Sequence, residues 1–150
     1  MISLTPIGVV RGGRTEIFED SWGPVTSRIV LDPAQLDSEA TLGLAEFSHL
    51  EVIFQFHLAT RVNRGAAHPR GNPAWSRVGV LAGHSPTRPN HIGVSRCELL
   101  SVDALELTVR GLDAIDGSPV IDVKPYATEF NPAGPVREPD WMRELMRDYY

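Results

Sequence analysis

Through much of this chain apolar and polar residues alternate with a period of two. Ser27, Ile29 and Leu31 interleave with Arg28 and Val30, and Leu105, Leu107 and Val109 with Glu106, Thr108 and Arg110. Successive side chains of an extended strand point to opposite faces, so each segment predicts a strand with one buried and one wetted face. Leu4 to Arg11, His49 to Leu58, Arg77 to Ala82, Gly93 to Val102 and Pro119 to Lys124 also read as strands. Asp116-Gly117 is a tight-turn dipeptide, which predicts a hairpin closing onto the last of them. Asp32 to Phe47 predicts a short helix that offers Leu36, Leu42 and Leu44 for packing. A second helix is predicted at the C-terminus. Pro139 suits a first turn, Asp140 suits the positive end of the dipole, and Trp141, Leu145 and Tyr149 recur every four residues. That stripe can pack on its own core or on a partner. Many short strands with few helices predict a mainly β fold, a barrel or a sandwich. At 150 residues the chain fits one domain, residues 1–150.

Charge changes this picture locally. The net charge is −5, which argues against general nucleic-acid binding. Yet between Glu51 and Glu98 there is no acidic residue, while Arg61, Arg64, Arg70, Arg77, Arg88 and Arg96 give that stretch a formal +6. Such segregation presents a positive field to an anionic partner, unless carboxylates from elsewhere in the fold pair with the arginines. Within it, Arg61 to Ser76 is rich in Gly, Pro, Asn and Ala and predicts a long irregular loop of the kind that commonly carries function. The single cysteine, Cys97, allows no intrachain disulfide and no thiolate cluster. Met1 to Pro6 lacks the basic start and apolar run of a signal peptide, and no stretch has membrane-spanning length, so a cytoplasmic protein with no membrane association is expected. The histidines show no metal-binding spacing, and no metal is expected. Nucleophile elbows, P-loops and dinucleotide glycine patterns are missing too.

Three segments have the composition of a site. In His84-Ser85-Pro86-Thr87-Arg88-Pro89-Asn90-His91-Ile92-Gly93-Val94-Ser95 two prolines stiffen the backbone, which would hold Arg88 and Asn90 in place at little ordering cost. The plainer reading is a proline-rich corner whose asparagine serves its own backbone. Along Pro119 to Tyr126, alternation puts Asp122, Lys124 and Tyr126 on one face and Ile121 and Val123 on the other. Lys124 is the only lysine, and Asp122 can hold it charged, either as part of a site or as a surface ion pair. Glu46 to His57 reads as a buried strand ending in His57, a core histidine or a ligand contact.

Taken in order, these segments resemble the TrmO family of tRNA methyltransferases. Pro6-Ile7-Gly8-Val9-Val10 is similar to its opening strand, and Phe47-Ser48-His49-Leu50 to its Phe-Ser-His signature. Ser85 to Gly93 preserves its Ser-Pro-x-Arg-Pro-Asn-x-Ile-Gly core, and Leu112 to Tyr126 resembles its Leu-Asp-x-x-Asp-Gly-Thr-Pro-Val-x-Asp-Ile-Lys-Pro-Tyr stretch. The resemblance implies a single-sheet β-barrel with a short helix and a C-terminal helix. It also implies a homodimer, S-adenosyl-L-methionine as cofactor, and N6-methylation of threonylcarbamoyladenosine beside the tRNA anticodon. Cofactor contacts carry over to His57, Leu58, His84, Val94, Asp116, Gly117, Ser118 and Pro119, with Arg88 and Asn90 shaping the pocket. Asp122, Lys124 and Tyr126 would handle the nucleoside, with Asp122 or Tyr126 assisting loss of its proton, and Arg61, Arg64 and Arg70 would hold tRNA phosphates. The chain departs from the family where His84 replaces the usual Arg and His91 the common Pro. Other acceptors, whether a small molecule or another RNA, and a non-catalytic module that binds the cofactor or nucleic acid, are the competing readings.

Overall fold

A computed structural model describes residues 1–150. Its strands are β1 (Gly8–Arg11), β2 (Thr26–Leu31), β3 (His49–Gln55), β4 (Ala66–Ala67), β5 (Val78–Gly79), β6 (Ile92–Asp103), β7 (Glu106–Arg110) and β8 (Pro119–Pro125), followed by one α-helix, α1 (Asp140–Met146). Six of the strands close into an antiparallel barrel in the order β1-β2-β7-β6-β3-β8, which is the barrel rather than the sandwich that the alternation allowed. Closure is possible because β6 is long enough for two partners. Its first half pairs with β3, from Ile92 opposite Gln55 to Glu98 opposite His49, and its second half pairs with β7. The short strands β4 and β5 form a separate ribbon inside the basic stretch.

Inward positions follow the predicted alternation. Ser27, Ile29 and Leu31 on β2 and Leu107 and Val109 on β7 are buried, and they meet Leu50, Val52 and Phe54 of β3 and Val120 of β8 in one core. In β8 the register to β3 slips between Ile53 and Phe54, leaving Ile121 as an extra residue. The bulge lets both Val120 and Val123 pack on the core and turns Asp122 and Lys124 outward.

Six predicted features need correction. The first strand starts at Gly8, not Leu4, and Leu4 lies exposed ahead of Pro6, which has no N–H to donate. The 49–58 strand stops at Gln55, because Phe56 donates to the His91 carbonyl (2.8 Å) and the chain then turns, with Ala59 N–H bonded to Phe56 O (3.1 Å). The segment 77–82 keeps only two strand residues before a 3-10 turn over Val80–Ala82. Between Asp32 and Phe47 there is no α-helix but two 3-10 turns, Ser38–Thr41 and Leu44–Glu46, separated by Gly43 at φ 83°. Leu36 and Leu44 still pack on the core, whereas Leu42 is exposed. The Asp116-Gly117 turn forms, but it closes no hairpin with β7: it feeds β8, which pairs with β1 and β3. At the C-terminus Pro139 is the N-cap rather than a helical residue, and Tyr149 lies beyond the end of α1. No helix is long and apolar enough to cross a membrane.

Candidate functional site

The barrel brings the ends of β1 and β3 and the start of β8 to one rim. There Ile115 to Ser118 forms a β-turn, closed by Ser118 N–H to Ile115 O (3.1 Å), in which Gly117 takes φ 86°, a left-handed conformation suited to glycine. The turn is held from both sides. Gly117 N–H donates to Val10 O (2.7 Å), Asp116 N–H to Arg14 O (2.7 Å), and the Asp116 carboxylate accepts from Gly12 N–H (2.9 Å). Ser118, 1% exposed, donates its hydroxyl to Ile115 O (2.7 Å), and Pro119 opens β8 opposite Val9. His57 faces this turn. A Cβ on Gly117 would lie 3.4 Å from His57 Nε2, in van der Waals contact, so the imidazole packs directly against the turn. His57 Nδ1 is buried with no hydrogen-bond partner, a cost that a bound polar group would remove.

The proline-rich loop closes the same rim. Arg88 N–H donates to Pro86 O (2.9 Å) and His91 N–H to Arg88 O (3.1 Å). The Arg88 guanidinium turns back onto the Gly83 carbonyl (2.8 Å), bracing the loop rather than pointing away from it. Asn63 N–H to Thr87 O (3.0 Å) ties in the basic stretch, and Phe56 N–H to His91 O ties in the β3 end beside His57. His84, Asn90 and Leu58 are exposed around this rim, and Val94 stands 60% exposed on the outer face of β6. The structure thus sets His57 beside the Asp116–Pro119 turn and ties the His91 end of the proline loop to Phe56 next to it, although these segments are scattered along the sequence.

Of the three predicted nucleoside-handling residues, Asp122 and Lys124 form a pair, and Tyr126 lies beyond them past the end of β8. Asp122 sits in mid-strand, in register with Ile53 and through it with Val94. It accepts from Val123 N–H (2.8 Å) and pairs with Lys124 at 3.4 Å, on the outer face where both are about half exposed. Tyr126 lies past the far end of β8, roughly 23 Å from Pro119 at about 3.3 Å per residue. Its ring lies under the Arg96 guanidinium (4.7 Å) and its hydroxyl donates to Asn131. Within one chain Tyr126 is thus remote from the His57 rim.

The acid-free stretch also divides. Arg70 does not offer a free charge: it pairs with Asp20 (2.8 Å) and Glu19 (3.4 Å), and the Asp20 hydrogen bond raises its pKa further. Its guanidinium is thus already partnered within the chain. Arg96 pairs with Glu51 (3.2 Å) and Arg77 donates to Ala66 O (3.4 Å). Arg61 and Arg64 are exposed and outside every ion pair.

One segment of the rim escaped the sequence reading, the loop from Gly12 to Gly23. Arg14 donates to the carbonyls of Asp20 (2.6 Å) and Ser21 (2.5 Å) and lies over the rings of Trp22 (4.6 Å) and Phe18 (5.3 Å). This loop supports the Asp116 turn through Arg14 O, anchors the basic stretch through Asp20, and pairs with the C-terminal tail through Trp22 N–H to Tyr149 O (2.7 Å). Gly12-Gly13 and Trp22-Gly23-Pro24 were the available signals, but with no strand pattern between them they did not say what the loop touches.

The family description "tRNA-methyltransferase O N-terminal domain" matches residues 20–131, and the chain belongs to that family. It is 41% identical over 137 residues to a probable S-adenosyl-L-methionine-binding protein of Methanothermobacter thermautotrophicus, a match covering 89% of this chain and 96% of that protein. It is 40% identical over 133 residues to the tRNA (adenine(37)-N6)-methyltransferase of Escherichia coli, covering 80% of this chain but 55% of that enzyme. A crystal structure of TrmO from Pseudomonas aeruginosa superposes with a TM-score of 0.75 at 30% identity, over 94% of this chain and 62% of that one. The chain thus spans nearly all of the archaeal relative and a little over half of the bacterial enzyme.

Proposed function

We propose that this protein is an S-adenosyl-L-methionine-dependent methyltransferase that modifies N6 of threonylcarbamoyladenosine next to the tRNA anticodon. The observation that carries the reading is the rim itself. In a member of this family, a glycine turn packs against a histidine whose buried Nδ1 lacks a partner, and the proline loop is tied to the residue before that histidine. That residue set suits the cofactor: an orphaned imidazole nitrogen, a glycine turn in contact with its ring, and exposed His84 and Asn90 at the edge of the rim.

When bound, the cofactor supplies a methyl group activated by a sulfonium. The protein's part is then alignment and exclusion of water more than nucleophilic attack of its own. The pinned Asp116–Pro119 turn and the braced proline loop serve alignment, since their backbones are held before any ligand arrives. The acceptor nitrogen is urea-like and weakly nucleophilic, so a carboxylate to take its proton is useful. Asp122 is the better placed of the two sequence candidates, because it shares a cross-strand row with Val94 while Tyr126 lies past the far end of β8. Arg61 and Arg64 would meet tRNA phosphates. A cytoplasmic homodimer fits the same reading: the outer β3-β6-β8 face exposes Val94, and a second copy there would bring other side chains to a rim that lacks Tyr126 in one chain.

The test is methyl incorporation from labelled S-adenosyl-L-methionine into tRNA carrying threonylcarbamoyladenosine, with nucleoside mass spectrometry. The expected product is the N6-methylated nucleoside, with turnover in Asp122→Asn reduced by about 100-fold or more. Cofactor binding without incorporation into that tRNA would sink the proposed acceptor.

A further inference from the structure

His91 has a backbone conformation that its neighbours in sequence do not explain. Its φ is 50°, in the left-handed region, which few non-glycine residues adopt and which Asn, Asp and His tolerate best. All the polar groups it turns toward the protein are used. Its N–H donates to Arg88 O (3.1 Å), its carbonyl accepts from Phe56 N–H (2.8 Å), and its Nδ1 lies 2.9 Å from Pro86 O. A carbonyl only accepts, so Nδ1 carries the proton in that contact. Proline could supply none of this beyond the carbonyl, because its ring holds φ near about −65° and it has no N–H.

Two of these bonds stay within the proline loop, and the carbonyl bond carries that loop to the end of β3. Pro86 and Arg88 belong to the proline loop that carries His84 and Asn90, whereas Phe56 immediately precedes His57 at the end of β3. We propose that His91 is a positioning residue, a clamp: its Nδ1 bond to Pro86 O fixes the 86–91 loop to the one residue whose carbonyl holds the His57 end of β3, and so presets the cofactor rim. The inference rests on the cofactor reading above. It adds that this rim owes its geometry to a side-chain hydrogen bond at a left-handed position, and not to the stiffness of the two prolines alone. Pro86 O already receives Arg88 N–H, and the imidazole bond links that turn to the next.

Asparagine and aspartate separate the possibilities, because both tolerate left-handed backbone and are nearly the same shape. Nδ2 of asparagine can take the place of Nδ1 and donate to Pro86 O. Aspartate at neutral pH has no proton there and sets a negative oxygen against the carbonyl. Three readouts are compared in the full-length wild type, His91→Asn and His91→Asp: Kd for S-adenosyl-L-methionine by calorimetry, Tm, and amide hydrogen exchange over 53–58 and 85–93. His91→Asn is expected to bind within about twofold of wild type. His91→Asp is expected to bind about five- to tenfold more weakly, the effect of one lost hydrogen bond, and to exchange faster in both segments. Wild-type binding and exchange in His91→Asp would overturn the clamp. Equal failure of both variants, with Tm preserved, would also overturn it, because the imidazole would then be acting on the ligand itself. If wild-type protein fails to bind the cofactor, the functional reading falls. The exchange comparison still decides the clamp, which stands if both segments loosen in His91→Asp and falls if they do not.

Discussion

Three titratable groups share the neighbourhood of Asp113: the buried Cys97 thiol, the half-buried Tyr149 and the more exposed Tyr150. Tyr149 donates to Asp113, whose other oxygen is buried without a partner. Burial first, and the Asp113 charge second, push the Tyr149 phenol well above its ordinary range and raise Tyr150 and the Cys97 thiol each to about 12. In each case the neutral form is favoured by folding. Their contribution to stability is therefore complete below the ordinary values of 9.0 for the thiol and 10.0 for the phenols, and is lost as pH rises toward the folded-state values. The urea midpoint should accordingly be flat between about pH 7 and 9 and fall steadily from about pH 10. Tyr149→Phe should flatten that alkaline fall, yet cost about 1–3 kcal/mol at pH 7, since it leaves the Asp113 carboxylate with no partner at all. An alkaline fall of unchanged size in the variant would show that Tyr149 is not its source.

Among the elements, the β3-β6 pair is the most demanding, because glycine on one strand makes room for an aromatic ring on the other. Gly93 is the register partner of Phe54, and a Cβ there would stand 2.5 Å from the Phe54 ring. Phe54 is 1% exposed, so the ring has nowhere to move. Gly93→Ala should cost about 1–3 kcal/mol by overpacking, a Tm lower by roughly 3–10 °C in a domain of this size. A thermal melt that matches wild type would mean that the pair relaxes without cost. The same strands show why alternation was so readable: inward residues of β2, β3 and β7 have no alternative to the core. The 32–47 segment was misread because leucine spacing suggested a helix while Gly43 and the turn at Asp32, whose carboxylate accepts from Ala34 N–H (2.8 Å), broke it into short turns.

For the whole molecule, charge is where the fold most altered the expectation. Six arginines without an intervening acid promised a continuous positive surface, but the fold returns Asp20, Glu19 and Glu51 from distant positions to two of them. Four stay outside every ion pair; Arg77 and Arg88 turn onto backbone carbonyls, while Arg61 and Arg64 are exposed on a stretch anchored by Arg70 and by Trp75, which donates to Glu144 of α1 (2.9 Å). Changing both Arg61 and Arg64 to Gln should weaken tRNA binding and reduce the salt slope of log K by about 2, with cofactor affinity unchanged. An unchanged slope would put the phosphate contacts elsewhere. Arg70→Gln should act differently, loosening the stretch through the lost Asp20 contact more than removing a phosphate partner.

Local pattern was enough to specify what depends on neighbours along the chain. Period-two burial, the Asp116-Gly117 turn, the stiff proline loop and the terminal helix are all written in adjacent residues, and the motif order pointed to the family and its cofactor rim. Closure, pairing and electrostatic partners are set by residues far apart in sequence, and no local pattern contains them. That is why β6 serving two partners, the bulge at Ile121, the separation of Tyr126 from the rim and the neutralisation of Arg70 emerged only in three dimensions. His91 shows the division within one residue. Its identity could be read as a departure from the family's proline, but its left-handed backbone and its bond to Pro86 exist only because the loop is folded back onto the end of β3.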